Sequence, residues 1–217
     1  MAKPTTVSAG QRRALARLSE LPVVRRDLYL AGGVAVALHL GHRRSLDLDF
    51  FSRAPTLDLD QVRAAILHGS RDVEVIARSD AALHLRLDGA DLDVVRYPYA
   101  TLVRPWCYAP GLYVASLRDL AAMKLAAIAT RGIRRDFWDL HAILTSGRST
   151  LRRVFADYRS KFGVAEADLY HVLKALSWFA DAERDEVFPR GLTRRHWRTI
   201  RIYFEEVARK EIGRRAR

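Results

Sequence analysis

Only one cysteine, Cys107, occurs among the 217 residues. A lone thiol excludes an internal disulfide and any zinc site built from a thiolate cluster. No run of about 18 uncharged apolar residues is present, and the first residues lack the apolar core of a secretory leader. The expectation is therefore a cytoplasmic protein with no membrane partner. Acidic residues are also scarce, 25 Asp and Glu against 37 Lys and Arg, for a formal net charge of +12. Such a surplus calls for an anionic partner, nucleic acid first, although a coding sequence rich in G and C would also favour arginine. The histidines supply no ligand spacing: His42, His141 and His171 read as structural or surface residues. What is abundant is apolar, 49% of the chain, enough for one sizeable domain or two modest ones.

The few acids are not scattered. Asp47, Asp49, Asp91 and Asp93 fall in two short stretches, while basic residues accumulate beyond Arg118. The first stretch, residues 29–52, reads YLAGGVAVALHLGHRRSLDLDFFS. A short apolar strand leads into Gly32-Gly33, where the chain can adopt backbone angles and close approaches that a side chain would forbid. Residues 34–40 are apolar enough for a buried helix, and Gly41 closes it. From Leu46 the residues alternate, with Leu46, Leu48 and Phe50 on one face and Asp47, Asp49 and Phe51 on the other. Aspartate is depleted from strands, and like charges on one face repel, so the pair needs compensation. A hard cation, Mg²⁺ or Mn²⁺, suits that all-oxygen pair; a solvated strand end neutralised by Arg43 and Arg44 is the alternative.

Before this stretch, Ser8 caps a helix running to about Leu21; after it, residues 58–68 form another, with Leu59, Val62 and Ile66 on one side. Residues 73–78, 83–87 and 92–96 alternate and are separated by turn residues at Ser79-Asp80 and Asp88-Gly89, which predicts a meander. Asp93, flanked there by Leu92 and Val94, needs a reason to be in a strand. Residues 102–114 are irregular and end in a short strand.

Helix formers then dominate. Ser116 and Asp119 form a capping box, and Leu117, Ala121, Lys124 and Ile128 share a face, so Lys124 lies on an apolar stripe. It either snorkels out or reaches towards a phosphate; the latter predicts that Lys124→Met keeps stability and loses activity. Asp136 stands in the first turn of the following helix, where a carboxylate suits the helix dipole. Helices are expected over 151–162, 166–180 and 194–212, the last burying Trp197, Ile200, Phe204 and Val207.

The pattern AGG(x)A(x)AL(x)LGHRRS(x)DLDFF resembles the opening motif of the AbiEii/AbiGii-type nucleotidyltransferase toxins, a type IV toxin–antitoxin class with MenT-like members. SLRDLAAMKLAAIATRGIRRDFWDL, residues 116–140, is similar to that family's second motif. The resemblance, extended by DLDVVRYPY, covers about the first two thirds of the chain. It implies an α/β (α+β) fold, a mixed sheet with flanking helices over residues 1–115, followed by a helical domain over 116–217. It implies Ser45, Asp47, Lys124 and Asp136 as catalytic residues. Gly32, Gly33, Ser45 and Lys124 would bind a nucleoside triphosphate, and Asp47, Asp49 and Asp93 would hold Mg²⁺ (or Mn²⁺). The acceptor it implies is the 3′ end of tRNA, and the partner a cognate antitoxin. A small-molecule or protein acceptor, a metal-dependent phosphoesterase and a non-catalytic nucleic-acid-binding protein remain alternatives.

Overall fold

A computed structural model describes residues 6–70, 72–184 and 188–215. The chain divides into two compact units, Met1–Ser116 and Leu117–Arg217.

The first unit is a seven-stranded mixed sheet with helices. Helix α1 (Ala9–Glu20) starts at Ser8, whose hydroxyl accepts from the Gln11 amide while the Gln11 side chain returns to the Ser8 amide. Helix α2 (Pro22–Asp27) carries proline in its first turn and leads into β1 (Leu28–Ala31), buried along its whole length. Helix α3 (Gly32–Leu40) follows without a loop and ends on Gly41, whose φ of 66° supplies the left-handed cap. Strand β2 (Leu48–Ser52) alternates buried and half-exposed residues. After α4 (Leu59–Gly69), capped by Asp58, come β3 (Val73–Arg78), β4 (Ala82–Leu87) and β5 (Ala90–Val95). They form the expected meander. Asp88 and Gly89 both take positive φ, the turn that matches the right-handed twist of a two-residue hairpin. Strands β6 (Trp106–Ala109) and β7 (Leu112–Val114) complete the sheet, in the order β3-β4-β5-β2-β1-β7-β6. Strands β2 and β5 run parallel, as do β1 and β7; β1 and β2 are antiparallel. One face of the central strands is core, with Leu48, Phe50, Leu83, Leu85, Leu92 and Val94 each at most 1% exposed.

Three expectations change. Gly32-Gly33 is the first turn of α3 rather than a loop before it. Leu46 is 69% exposed and lies outside β2, as does Asp47, because the strand begins only where the pairing with β1 and β5 begins. The segment expected to be irregular contains β6, an edge strand too exposed to show alternation.

The second unit is helical: α5 (Leu117–Thr130), α6 (Arg134–Thr145), α7 (Leu151–Phe162), α8 (Leu169–Ala175), α9 (Ala180–Arg184) and α10 (Arg194–Arg215), with a 3₁₀ turn at Glu166–Asp168. The single helix expected over 166–180 is thus broken. Trp197, Ile200, Phe204 and Ala208 form the buried stripe of α10, with Ala208 in the place expected of Val207. Phe137 of α6 meets the rings of Phe179, Trp197 and Phe204 at 5.1–5.8 Å between centroids, the aromatic centre of this core. No helix among the described residues is long and apolar enough to cross a membrane.

Candidate functional site

The start of α3 is where the two glycines are required. Gly32 has φ of 62°, and a Cβ added there would run into the carboxylate of Asp49. A Cβ on Gly33 would meet the Ser45 hydroxyl at 2.5 Å and the Arg43 guanidinium. Asp49 and Ser45 therefore close over the first turn of a helix, where amide groups lack intrahelical acceptors and the helix dipole favours negative charge. Ser45 is held in place through its own carbonyl, which accepts from Gln11 Nε2 at 2.9 Å, as does the Leu46 carbonyl at 2.7 Å. Gln11 thus serves both the α1 cap and the segment leading to the aspartates.

Asp49 lies opposite Ala31 on one side and Asp93 on the other, in register. Neighbouring strands are about 4.8 Å apart, so the two aspartates are side by side on the half-exposed face of the sheet. Asp93 bonds His84 of β4, with Nδ1 and Oδ1 2.7 Å apart. Strand register places this partner: with Asp88-Gly89 as the turn, Leu87 faces Ala90 and His84 faces Asp93. Asp91, one pleat towards the turn, is exposed and bonded by Arg86 Nε at 3.0 Å. Asp47 is half-exposed just ahead of the strand. Among the described residues no three of His, Cys, Asp and Glu converge closely enough to hold an ion by themselves. Mg²⁺, however, characteristically takes one or two carboxylates and fills its remaining positions with water and substrate phosphates. Two adjacent carboxylates beside a helix start fit that donor set.

Phe51 and Tyr97 extend the same face, their rings in edge contact at 4.9 Å, and Tyr97 meets Tyr99 at 5.3 Å. The Arg-Tyr-Pro-Tyr segment is thus at least a packed aromatic corner.

In the helical unit, Lys124 Nζ lies 3.0 Å from Asp136 Oδ1 and 2.7 Å from Asp139 Oδ2. Lys124 is 7% exposed, and both aspartates are fully buried. Arg131 Nε adds a bond to Asp136 Oδ2 at 2.9 Å. Burial opposes ionisation of Asp136, but Lys124 and then Arg131 outweigh it and hold the carboxyl below the usual carboxylate range. The structure thus brings Lys124 and Asp136 together and adds Asp139 to them. It also corrects one expectation. Removing the Lys124 charge would leave buried carboxylates undercompensated, so Lys124→Met is destabilising rather than neutral. Asp119 likewise is more than a cap: it is fully buried and pairs with Lys161 Nζ at 3.0 Å.

His84, Asp139 and Gln11 escaped sequence reasoning. The hairpin register could have given His84, and the spacing of Asp136 and Asp139 on one helix face could have given Asp139. No sequence signal points to Gln11 beyond its place in the capping box.

Comparison with known proteins gives four matches of consequence. Residues 13–211 match the family model described as nucleotidyl transferase AbiEii toxin, type IV toxin–antitoxin system. An uncharacterized protein of Aquifex aeolicus (strain VF5) is 32% identical over 204 residues, covering 91% of this chain and 90% of that one. Among solved structures, the antibiotic-resistance factor ANT(2'')-Ia superposes with a TM-score of 0.52 at 16% identity over 74% of this chain and 95% of its own. A protein from H. pylori assigned as a nucleotidyltransferase gives 0.50 at 14% identity over 91% and 93%. Both structural likenesses support the nucleotidyltransferase fold. The chain belongs to the AbiEii family of nucleotidyl transferase toxins of type IV toxin–antitoxin systems.

Proposed function

We propose that this nucleotidyltransferase moves a nucleoside monophosphate from a triphosphate to the 3′ hydroxyl of tRNA, with Mg²⁺ as cofactor, and that it does so in the cytoplasm under the control of a cognate antitoxin. The observation that carries the reading is the start of α3, where Gly32 and Gly33 admit the Asp49 carboxylate and the Ser45 hydroxyl beside free helix amides. Triphosphate oxygens suit that place for the same reason any anion suits a helix N-terminus. Asp49, Asp93 and Asp47 would hold the divalent ion, which supplies charge neutralisation at the phosphates when bound.

In the reaction, the acceptor oxygen bonds to the α-phosphorus, the bond from that phosphorus to the bridging oxygen breaks, and pyrophosphate leaves. The hydroxyl proton has to be taken up; Asp93, where it does not itself ligate the ion, would receive it, and its hydrogen bond with His84 supports that role. Lys124 and Asp136 belong to the proposed active-site set through the family motif alone; their mutual bond supports at minimum a role in holding α5 to α6. The basic composition favours a polyanionic acceptor over a cationic small molecule.

The test is incubation with each labelled nucleoside triphosphate, Mg²⁺ and total RNA. Label should enter tRNA with the wild type and not with Asp47→Asn. Full transfer by Asp47→Asn would sink the site; label on a protein or small molecule, with none on RNA, would sink the acceptor and leave nucleotidyl transfer standing.

A further inference from the structure

The positive charge is unevenly divided. Residues 117–217 hold 22 Lys and Arg against 13 Asp and Glu, a net +9 of the chain's +12. Part of that surplus converges within the helical unit on a cavity of about 860 Å³, whose lining includes Arg134, Arg194, Arg198 and Arg201 together with Phe188 and Trp197. The volume is towards the upper end for a ligand pocket and exceeds what a lone phosphate ion would fill.

The arginines are built into the cavity in two ways. Arg134, 4% exposed, has its guanidinium 4.1 Å from the Phe188 ring centroid and 5.9 Å from that of Trp197, an arrangement that fixes a cation between aromatic faces. Glu183 then anchors the floor. It accepts from Trp197 Nε1 at 2.9 Å and Arg201 Nη1 at 3.1 Å, and it lies 3.5 Å from Arg134 Nη2. Among the described residues of the lining, Glu183 and Glu205 are the acids, so four guanidinium groups face two carboxylates there. The Nε–H of Arg201 is buried with no acceptor among the described residues. Arg194 and Arg198 are exposed at the mouth.

Arg194, Arg198 and Arg201 also share one face of α10 at spacings of four and three. The helix rises about 1.5 Å per residue, so the row is roughly 10 Å long. Every nucleotide of a strand carries a phosphate, so a row of that length can meet the phosphates of neighbouring nucleotides. A guanidinium fork is suited to phosphate oxygens, which accept two parallel N–H bonds.

We propose that this cavity binds the phosphate backbone of the RNA acceptor, gripping the strand at a place distinct from the carboxylates of the first unit. The identity of the polymer rests on the transfer to RNA proposed above; the anion-binding character of the pocket does not.

The experiment is fluorescence anisotropy of a short labelled single-stranded RNA with the full chain, at several salt concentrations and without nucleotide. Arg194→Glu/Arg198→Glu should weaken binding at least tenfold. It should also flatten the slope of log affinity against log salt by about 1.4, since each lost single-strand phosphate contact removes about 0.7. Arg194→Ala/Arg198→Ala, which is gentler on the fold, should flatten the slope equally and weaken binding less. Arg148→Glu/Arg152→Glu, an equal charge change at exposed positions outside the lining, should leave affinity within about threefold. Pocket variants within threefold of the wild type, a control that weakens binding as much as they do, or displacement by inorganic phosphate as effective per phosphate as by RNA would each overturn the proposal. Loss of the transfer reading shows separately, as label that enters no RNA in the transfer assay, because no step of the binding assay involves transfer.

Discussion

Lys124→Met removes one positive charge from a buried site. Lys124 Nζ bonds two carboxylates, at 3.0 and 2.7 Å, and both aspartates are fully buried. Methionine keeps most of the apolar stem, so packing changes little and the cost is electrostatic. Breaking a buried ion pair on one side costs about 3–5 kcal/mol, because the remaining charge keeps its desolvation penalty. Arg131 still serves Asp136, which argues for the lower end, about 3 kcal/mol. Against a whole stability of about 5–15 kcal/mol this is a large fraction. In a unit of about 100 residues it corresponds to a fall in melting temperature of roughly 10–20 °C. Thermal unfolding followed by circular dichroism reads it directly, and a fall of less than about 2 °C would refute the claim that this lysine neutralises the cluster.

The same reasoning supplies the control that an activity assay needs. Lys124→Met/Asp136→Asn/Asp139→Asn removes the buried charges while preserving shape and leaves only the solvent-exposed Arg131, and neutral replacement of a complete buried pair is often close to cost-free. The triple variant should therefore melt well above the single variant. If it is folded and still transfers nucleotide, Lys124 and Asp136 are structural. If it is folded and inactive, at least one of them takes part in the reaction.

The remaining predictions test the helix start and the pH dependence. Gly32→Ala should cost about 1–3 kcal/mol and abolish transfer, since it combines φ of 62° with displacement of Asp49. Gly41→Ala, at φ of 66° but with open space around it, should cost only the backbone strain and retain transfer; equal activity of the two variants would remove the significance of the Asp49 approach. Burial, then His196, lowers the pKa of His141 to about 4. The folded state therefore resists a proton that the unfolded chain takes up near pH 6.5, so stability present above that pH is lost as pH falls from about 6.5 towards 4. His141→Phe, whose ring preserves the edge contact with Tyr203, should lose less melting temperature between pH 7 and 5 than the wild type; an unchanged pH slope would show that other groups carry it.

How much of this could be read in advance depended on whether the cause was local. Ser8, Asp58, Gly41 and the Asp88-Gly89 turn act within a few residues of themselves, and each marks an element end in the structure. Helix α2 is six residues long and β6 is an exposed edge, so neither develops a period to be recognised. The break between α8 and α9 has no Gly or Pro to announce it. Leu176 and Phe179 at the two ends of the break are buried, so packing rather than turn chemistry ends the helix there. At the candidate site, the aspartate pair and the glycines stood out because both are improbable where they occur. What they touch was hidden, since Gly32 against Asp49 and Asp49 beside Asp93 are long-range facts of strand order. The order β5-β2-β1 is what turns two separate acidic stretches into neighbours.

That adjacency makes a further quantitative claim. The helical unit answers its buried acids with cations: Asp119 with Lys161, Asp157 with Arg118, Asp136 and Asp139 with Lys124. Asp49 and Asp93, whatever else each touches, are placed next to one another in register, like charge beside like charge, on a face that is partly open to water. Facing like charges on neighbouring strands destabilise by roughly 0.2–1 kcal/mol, because solvent screens them well. A double-mutant cycle isolates this term from whatever else either carboxylate touches. In the absence of Mg²⁺ and nucleotide, Asp49→Asn and Asp93→Asn should each relieve the other, and the double variant should fall short of the summed single effects by about 0.5 kcal/mol. With Mg²⁺ and nucleotide present the sign should reverse, since two carboxylates sharing one ion support each other and either substitution alone forfeits most of the ligand-induced rise in melting temperature. A coupling that is zero, or that keeps its sign when both ligands are added, would mean that the two aspartates do not share an ion, and the proposed metal site would then have to be built from Asp47 and Asp49 alone.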